Sequence, residues 1–147
     1  MLPEVCFLRY SFPCARVLVD VRKTLSEEEW EQMKQAVETD TPMSRDYLEK
    51  TFPLAIQRIK KINPDPWNVD TIRDYFWNKH EAELSSDLPP MIKRLCVVKK
   101  GVLEKQIGNA FKVSLGDNDT RIVTALYKNP KVGDTVMVHY GYASEKV

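Results

Sequence analysis

The scarce reactive side chains of this sequence are its thiols and imidazoles. Among 147 residues there are three cysteines, Cys6, Cys14 and Cys96, and two histidines, His80 and His139. Cys96 opens a Cys-x4-Gly segment that ends at Gly101. His139 stands in the run Val132-Gly133-Asp134-Thr135-Val136-Met137-Val138-His139-Tyr140-Gly141. A thiolate is a soft ligand and imidazole also suits iron, so Cys96 with His139 could form a two-ligand site at one end of a small β-barrel. Each residue also has a plainer reading. A cysteine in an apolar stretch is by default a buried structural thiol, and His139, between Val138 and Tyr140 on a strand, can simply face solvent. Arg94, Lys99 and Lys100 flank Cys96 and would favour its thiolate if they lie close. His80 follows Phe76 by four positions on the apolar face of a helix and reads as a hydrogen-bonded packing histidine. Cys6 and Cys14 lack metal-ligand spacing and read as core thiols.

The elements that must position these residues fall into two parts, an α+β chain with a small α-helical domain over residues 1–88 and an OB-like small β-barrel over residues 91–147. The first twenty-odd residues are mixed, and Arg16–Val21 reads either as a short strand or as the lead-in to a helix. Ser26-Glu27-Glu28-Glu29 is a capping box, followed by Trp30, Met33 and Val37 on one helical face. Ser44 caps a second helical pattern that Pro53 should kink or split. Asn63-Pro64-Asp65-Pro66 is a turn. Asn68 caps a third helix with Val69, Ile72 and Phe76 on its buried face, which fades at Ser85-Ser86-Asp87. Leu88-Pro89-Pro90 reads as a stiff linker. The periodicity then changes to 2, with β-rich runs at Leu95–Leu103, Ala110–Leu115, Arg121–Tyr127 and Thr135–Tyr140. Turn signals at Gly116–Asp119 and Asn129–Asp134 separate them. Such short strands in so few residues point to a closed barrel of the OB or SH3-like type.

Composition bounds the function. With 43% hydrophobic and 29% charged residues, the chain reads as a soluble globular protein. No apolar run approaches the roughly 20 residues that span a bilayer, and the N-terminus has no secretory leader pattern. Three irregularly spaced cysteines are not a disulfide framework, so a reduced, cytoplasmic protein is expected. Charge is uneven: residues 1–90 carry 12 Lys/Arg against 16 Asp/Glu, and residues 91–147 carry 10 against 5. The basic half could seek an acidic partner. There is no Gly-rich phosphate loop, Gly-x-Ser-x-Gly, His-x-x-x-His or Cys-x-x-Cys, so no catalysis is expected.

The segment from Leu95-Cys96-Val97-Val98-Lys99-Lys100-Gly101 to Val132-Gly133-Asp134, Val138-His139-Tyr140-Gly141 and Glu145-Lys146 resembles the HypC/HupF family of hydrogenase maturation chaperones. The resemblance covers about residues 94–147, and no family is recognised in residues 1–90. It implies an OB-like barrel that binds and escorts the iron unit of nickel–iron hydrogenases, Fe(CN)2CO. The implied partners are an iron–sulfur scaffold maturation protein and the hydrogenase large-subunit precursor. It implies Cys96 as iron ligand and partner contact, His139 as second ligand, and Lys99, Lys100 and Gly101 beside the cysteine in the partner-binding segment. Three departures stand out. The family's cysteine directly follows the initiator methionine, whereas Cys96 is internal; the proline customary before the glycine is Lys100; and no helical tail follows Glu145-Lys146. The helical domain is expected to add a docking surface. The alternative is a metal-free OB-like module for protein or RNA. For RNA it would need a stacking face built from Phe111, Tyr127, Tyr140 and Tyr142, and nucleic acid is the less expected partner.

Overall fold

A computed structural model of the chain describes residues 1–84 and 86–147. The chain divides into two compact units, Met1–Lys79 and His80–Val147. Ser85, where the third helix was expected to begin fading, lies outside the described residues.

The first unit is helical. Arg16–Val21, open between strand and helix in the sequence, is helical through Asp20: α1 (Pro3–Ser11), a 3₁₀ turn (Phe12–Cys14) and α2 (Ala15–Asp20) run in succession. Pro3 occupies the first turn of α1, where its missing N–H costs nothing. Arg16 reaches Asp20 one turn along α2 at 2.9 Å. The Ser26–Glu29 capping box is present and opens α3 (Glu27–Glu38). Ser44 caps α4 (Arg45–Thr51) through the Tyr47 N–H. Pro53 splits the second pattern, so that α5 (Pro53–Ile62) starts afresh. Asn68 accepts from the Thr71 N–H and caps α6 (Val69–Asp74). The last turn of this unit is π-helical, Tyr75–Lys79. Phe7 meets Phe52, Trp67 and Phe76 edge-on at 5.6–6.1 Å, and the Trp77 indole N–H donates to the Tyr10 hydroxyl at 2.8 Å. Phe7, Tyr10, Phe52, Trp67 and Phe76 are therefore core, and half-buried Trp77 satisfies its polar end on Tyr10.

The second unit is the barrel. Pro89-Pro90 does not act there as an open linker: Pro90 is the first residue of helix α7 (Pro90–Cys96). The strand expected from Leu95 begins only at β1 (Lys99–Ile107). It is followed by β2 (Ala110–Ser114), β3 (Thr120–Ala125), β4 (Thr135–His139) and β5 (Tyr142–Lys146). These close into a barrel in the order β1-β2-β3-β5-β4. All neighbours are antiparallel except β3 and β5, which run parallel through Thr124↔Tyr142 and Ala125↔Ala143. Leu103, Phe111, Val113, Val123, Val136, Val138 and Ala143 fill the interior. No helix among the described residues is long and apolar enough to cross a membrane.

The Val-Gly-Asp segment shapes the barrel. Gly133 adopts φ +98°, and the Asp134 carboxylate accepts from the Lys131 N–H and the Tyr127 hydroxyl, each at 2.9 Å. Gly101 is a packing position in β1: a Cβ there would lie 2.7 Å from side-chain atoms of both Leu115 and Val113. Val113 is fully buried in the barrel interior and has little room to yield. Gly101→Ala should therefore destabilise the protein by about 1–3 kcal/mol, read as a lower midpoint in urea or thermal unfolding. An unchanged midpoint would show that β1 and β2 are not packed this closely.

Candidate metal centre

Three elements of the barrel unit bring imidazole and thiol together. His80 begins the unit, directly ahead of a 3₁₀ turn, Glu81–Glu83. Cys96 is the last residue of α7, beyond which Val97 turns extended toward β1. His139 ends β4. Val136 and Val138 point into the barrel, so strand alternation puts Met137 and His139 on the outer face. That face is covered here, and His139 is 0% exposed, against the solvent-facing alternative open in the sequence.

The register of the site is set by backbone. The Tyr140 N–H donates to the Leu95 carbonyl at 3.0 Å, which ties the end of β4 to the last turn of α7 and satisfies a carbonyl the helix leaves without an internal partner. Cys96 and His139 are each adjacent to one end of that bond. Tyr140 holds φ +56° at the turn between β4 and β5. Its carbonyl in turn accepts from Arg121 Nη1 at 3.0 Å.

The geometry is compact. His80 Nε2 lies 3.2 Å from Cys96 Sγ. The rings of His80 and His139 meet edge to face, centroids 5.4 Å apart at 82°. The ligand atoms of His80, Cys96 and His139 all lie within 4.8 Å of one another. At ordinary metal–sulfur and metal–nitrogen lengths, a right angle separates two such donors by about 3.0 Å and a tetrahedral angle by about 3.6 Å. The observed 3.2 Å falls between the two. One thiolate and two imidazoles at this spacing fit a first-row transition ion, and burial (Cys96 4%, His80 7%) shields the site from water. Both histidines of the chain are in this cluster. His80, read from sequence as a hydrogen-bonded packing histidine, is buried, at hydrogen-bond distance from Cys96 and packed on the His139 ring; that its neighbours are these two residues was not visible there.

The other sequence candidates of the barrel unit lie elsewhere. Lys99 is half-buried in β1 and donates to Asp119 Oδ2 at 3.2 Å, and Lys100 is exposed on the same strand. Arg94 sits 3.9 Å from the same carboxylate, so Asp119 engages two of the three cations that flank Cys96 in sequence. Cys6 in α1 is buried and Cys14 is half-buried, and none of the three cysteines is in a disulfide. Phe111 belongs to the barrel interior and Tyr127 bonds Asp134, so two of the four aromatics needed for a stacking face are committed elsewhere.

No protein-family model matches the chain, and no curated protein or solved structure matches it significantly. What fold and site define is a helical unit joined to a closed five-stranded barrel unit with a buried cluster of one thiol and two imidazoles.

Asp119 anchors the support of the site. Arg121 grips it with two bonds, Nε to Oδ1 at 3.1 Å and Nη2 to Oδ2 at 2.9 Å. The Arg121 hydrogen bonds, reinforced by Lys99, hold the Asp119 carboxyl down at about 2, against 3.8 ordinarily. A depressed carboxyl stabilises the fold above its unfolded pKa, and this contribution is lost as pH falls through about 2. The shift corresponds to at most ~2.5 kcal/mol, and solvent screening lowers the expected value. Asp119→Asn should cost about 1–2 kcal/mol at pH 7 in urea unfolding, with the gap to wild type closing near pH 2. A gap that stays constant down to that pH would rule out the ionic origin.

Proposed function

We propose that the barrel unit is an OB-like module resembling the HypC/HupF hydrogenase maturation chaperones, and that it carries an iron unit, Fe(CN)2CO, as cargo through Cys96 and His139. The observation that carries this reading is the meeting of these two residues, from the opening and closing segments of the resemblance, in one buried cluster. The strand order β1-β2-β3-β5-β4 with its parallel β3–β5 contact supports the OB-like assignment. Thiolate with imidazole is a reasonable donor set for low-spin iron. The protein would act by holding and passing the unit, with no catalysis of its own. Its partners would be an iron–sulfur scaffold maturation protein and the hydrogenase large-subunit precursor. Cysteines outside any disulfide accord with a reducing, cytoplasmic setting.

The proposal is tested by infrared spectroscopy on protein purified anaerobically from a host expressing active maturation partners. Cyanide and carbonyl stretching bands should be present in wild type and absent in Cys96→Ala, with circular dichroism of the variant unchanged. Bands absent from both proteins would overturn the carrier reading and leave a metal-free interaction module. Bands retained in Cys96→Ala would remove the cysteine from the site.

A further inference from the structure

We infer that His80 is a third metal ligand, so that the barrel unit binds a transition-metal ion facially through His80, Cys96 and His139. The inference extends the carrier reading, on which its iron-specific part rests; the three-ligand site itself stands on geometry alone. His80 precedes the segment that resembles any known family, and nothing in its sequence neighbourhood forms a metal-ligand motif. The fold nevertheless returns it to the thiol. Its Nε2 atom is 3.2 Å from Cys96 Sγ and its ring packs edge-on against His139.

Three features favour a ligand over a packing residue. The nitrogen approaches the sulfur directly, at nearly the separation of two cis ligands on one ion. His80 is 7% exposed, and the atoms it meets are those of two other strong donors of this unit. Both histidines of the chain converge here. Each ligand comes from a different element: the start of the 3₁₀ turn, the end of α7 and the end of β4. An ion held by all three would pin α7 and the turn ahead of it onto the barrel, as structural metal sites do.

Ligand number also has a consequence for the cargo. An iron carrying two cyanides and one carbonyl has three positions left in a six-coordinate sphere. Two protein ligands leave one of these open, and His80 fills it. The unit would then be coordinatively saturated while bound and protected from water or oxygen. A plain divalent ion such as Co²⁺ or Zn²⁺ would take the same three donors and complete its sphere with a further ligand.

The test uses the full chain and Co²⁺ alone, under anaerobic conditions at neutral pH. Wild type should bind one equivalent, show a thiolate-to-cobalt charge-transfer band, and release the cobalt to Zn²⁺. X-ray absorption of the wild-type complex should show two imidazoles, a readout that needs no variant. His80→Ala and His80→Gln should each weaken binding at least ~100-fold with the circular dichroism of the metal-free protein unchanged. One imidazole in wild type, or wild-type affinity in both His80 variants, would overturn the inference while leaving Cys96 and His139 as a two-ligand pair. A wild-type protein that binds no Co²⁺ would overturn it as well, and the infrared experiment would still decide the iron carrier independently.

Discussion

The barrel unit depends on how one residue's backbone is held, that of Tyr140. Its N–H is given to Leu95 at the end of α7 and its carbonyl receives Arg121 from β3. Arg121 is in turn fixed by Asp119, which Lys99 of β1 also grips. A chain of charge-assisted bonds thus runs from β1 through β3 to the β4–β5 turn, and the Tyr140 N–H carries it on to the helix that ends in Cys96. The turn residue holds a left-handed φ of +56°, which costs a non-glycine residue roughly 1 kcal/mol. Two hydrogen bonds to its backbone, one of them from a guanidinium, offset that cost. Were this backbone to relax, the carbonyl of Leu95 would lose its partner and the Cys96–His139 spacing would no longer be fixed.

The support also explains why the cations near Cys96 do not form a loose positive patch. Asp119 gathers Arg121, Lys99 and, at longer range, Arg94 around a single carboxylate. A carboxylate buried with only one cation would be a poor source of stability. Here it has two hydrogen bonds from a planar guanidinium and a third from an ammonium. The positive balance of residues 91–147 is therefore partly neutralised inside the unit, while Lys100 stays exposed. Charge counted from sequence overstated what remains for a partner.

Local chemistry made much of the fold legible. Ser26, Ser44 and Asn68 cap helices because a short side-chain oxygen can reach an N–H that the helix cannot pair, and Pro53 breaks one because its own N–H is missing. The alternation of Phe111 with Val113 and of Val136 with Val138 pointed to the barrel. Where the reading failed, tertiary structure had decided between locally equal options. Leu95–Val98 is apolar enough for a strand, yet Pro89-Pro90 is pre-set to begin a helix, and that helix runs to Cys96. Arg16–Val21 could have been either; the Arg16–Asp20 and Arg16–Glu27 pairs accompany helix. His139 does lie on the outer strand face, as its parity required. Its burial depends on covering residues far away in sequence, which no periodicity encodes. His80 was legible only as a residue on an apolar face, because its partners are set by topology.

Burial of the cluster bears on how any cargo could leave it. A thiol 4% exposed and an imidazole fully enclosed cannot exchange ligands with a partner in place; something must open. The barrel is the costly element to disturb, since its strands close on one another and each interior side chain is shared between neighbours. The elements carrying His80 and Cys96 are the cheaper ones. The helix α7 has only seven residues, well below the length at which a helix holds by itself, and the 3₁₀ turn has three. Such short elements draw their order from what they pack against, and elements of that kind open at free energies well below global unfolding. A bound ion would resist that opening through every ligand it engages, while a partner that captures Cys96 as α7 lifts would favour it. Retention and release would then be governed by one local equilibrium, with His80 and Cys96 on the moving side and His139 on the fixed one.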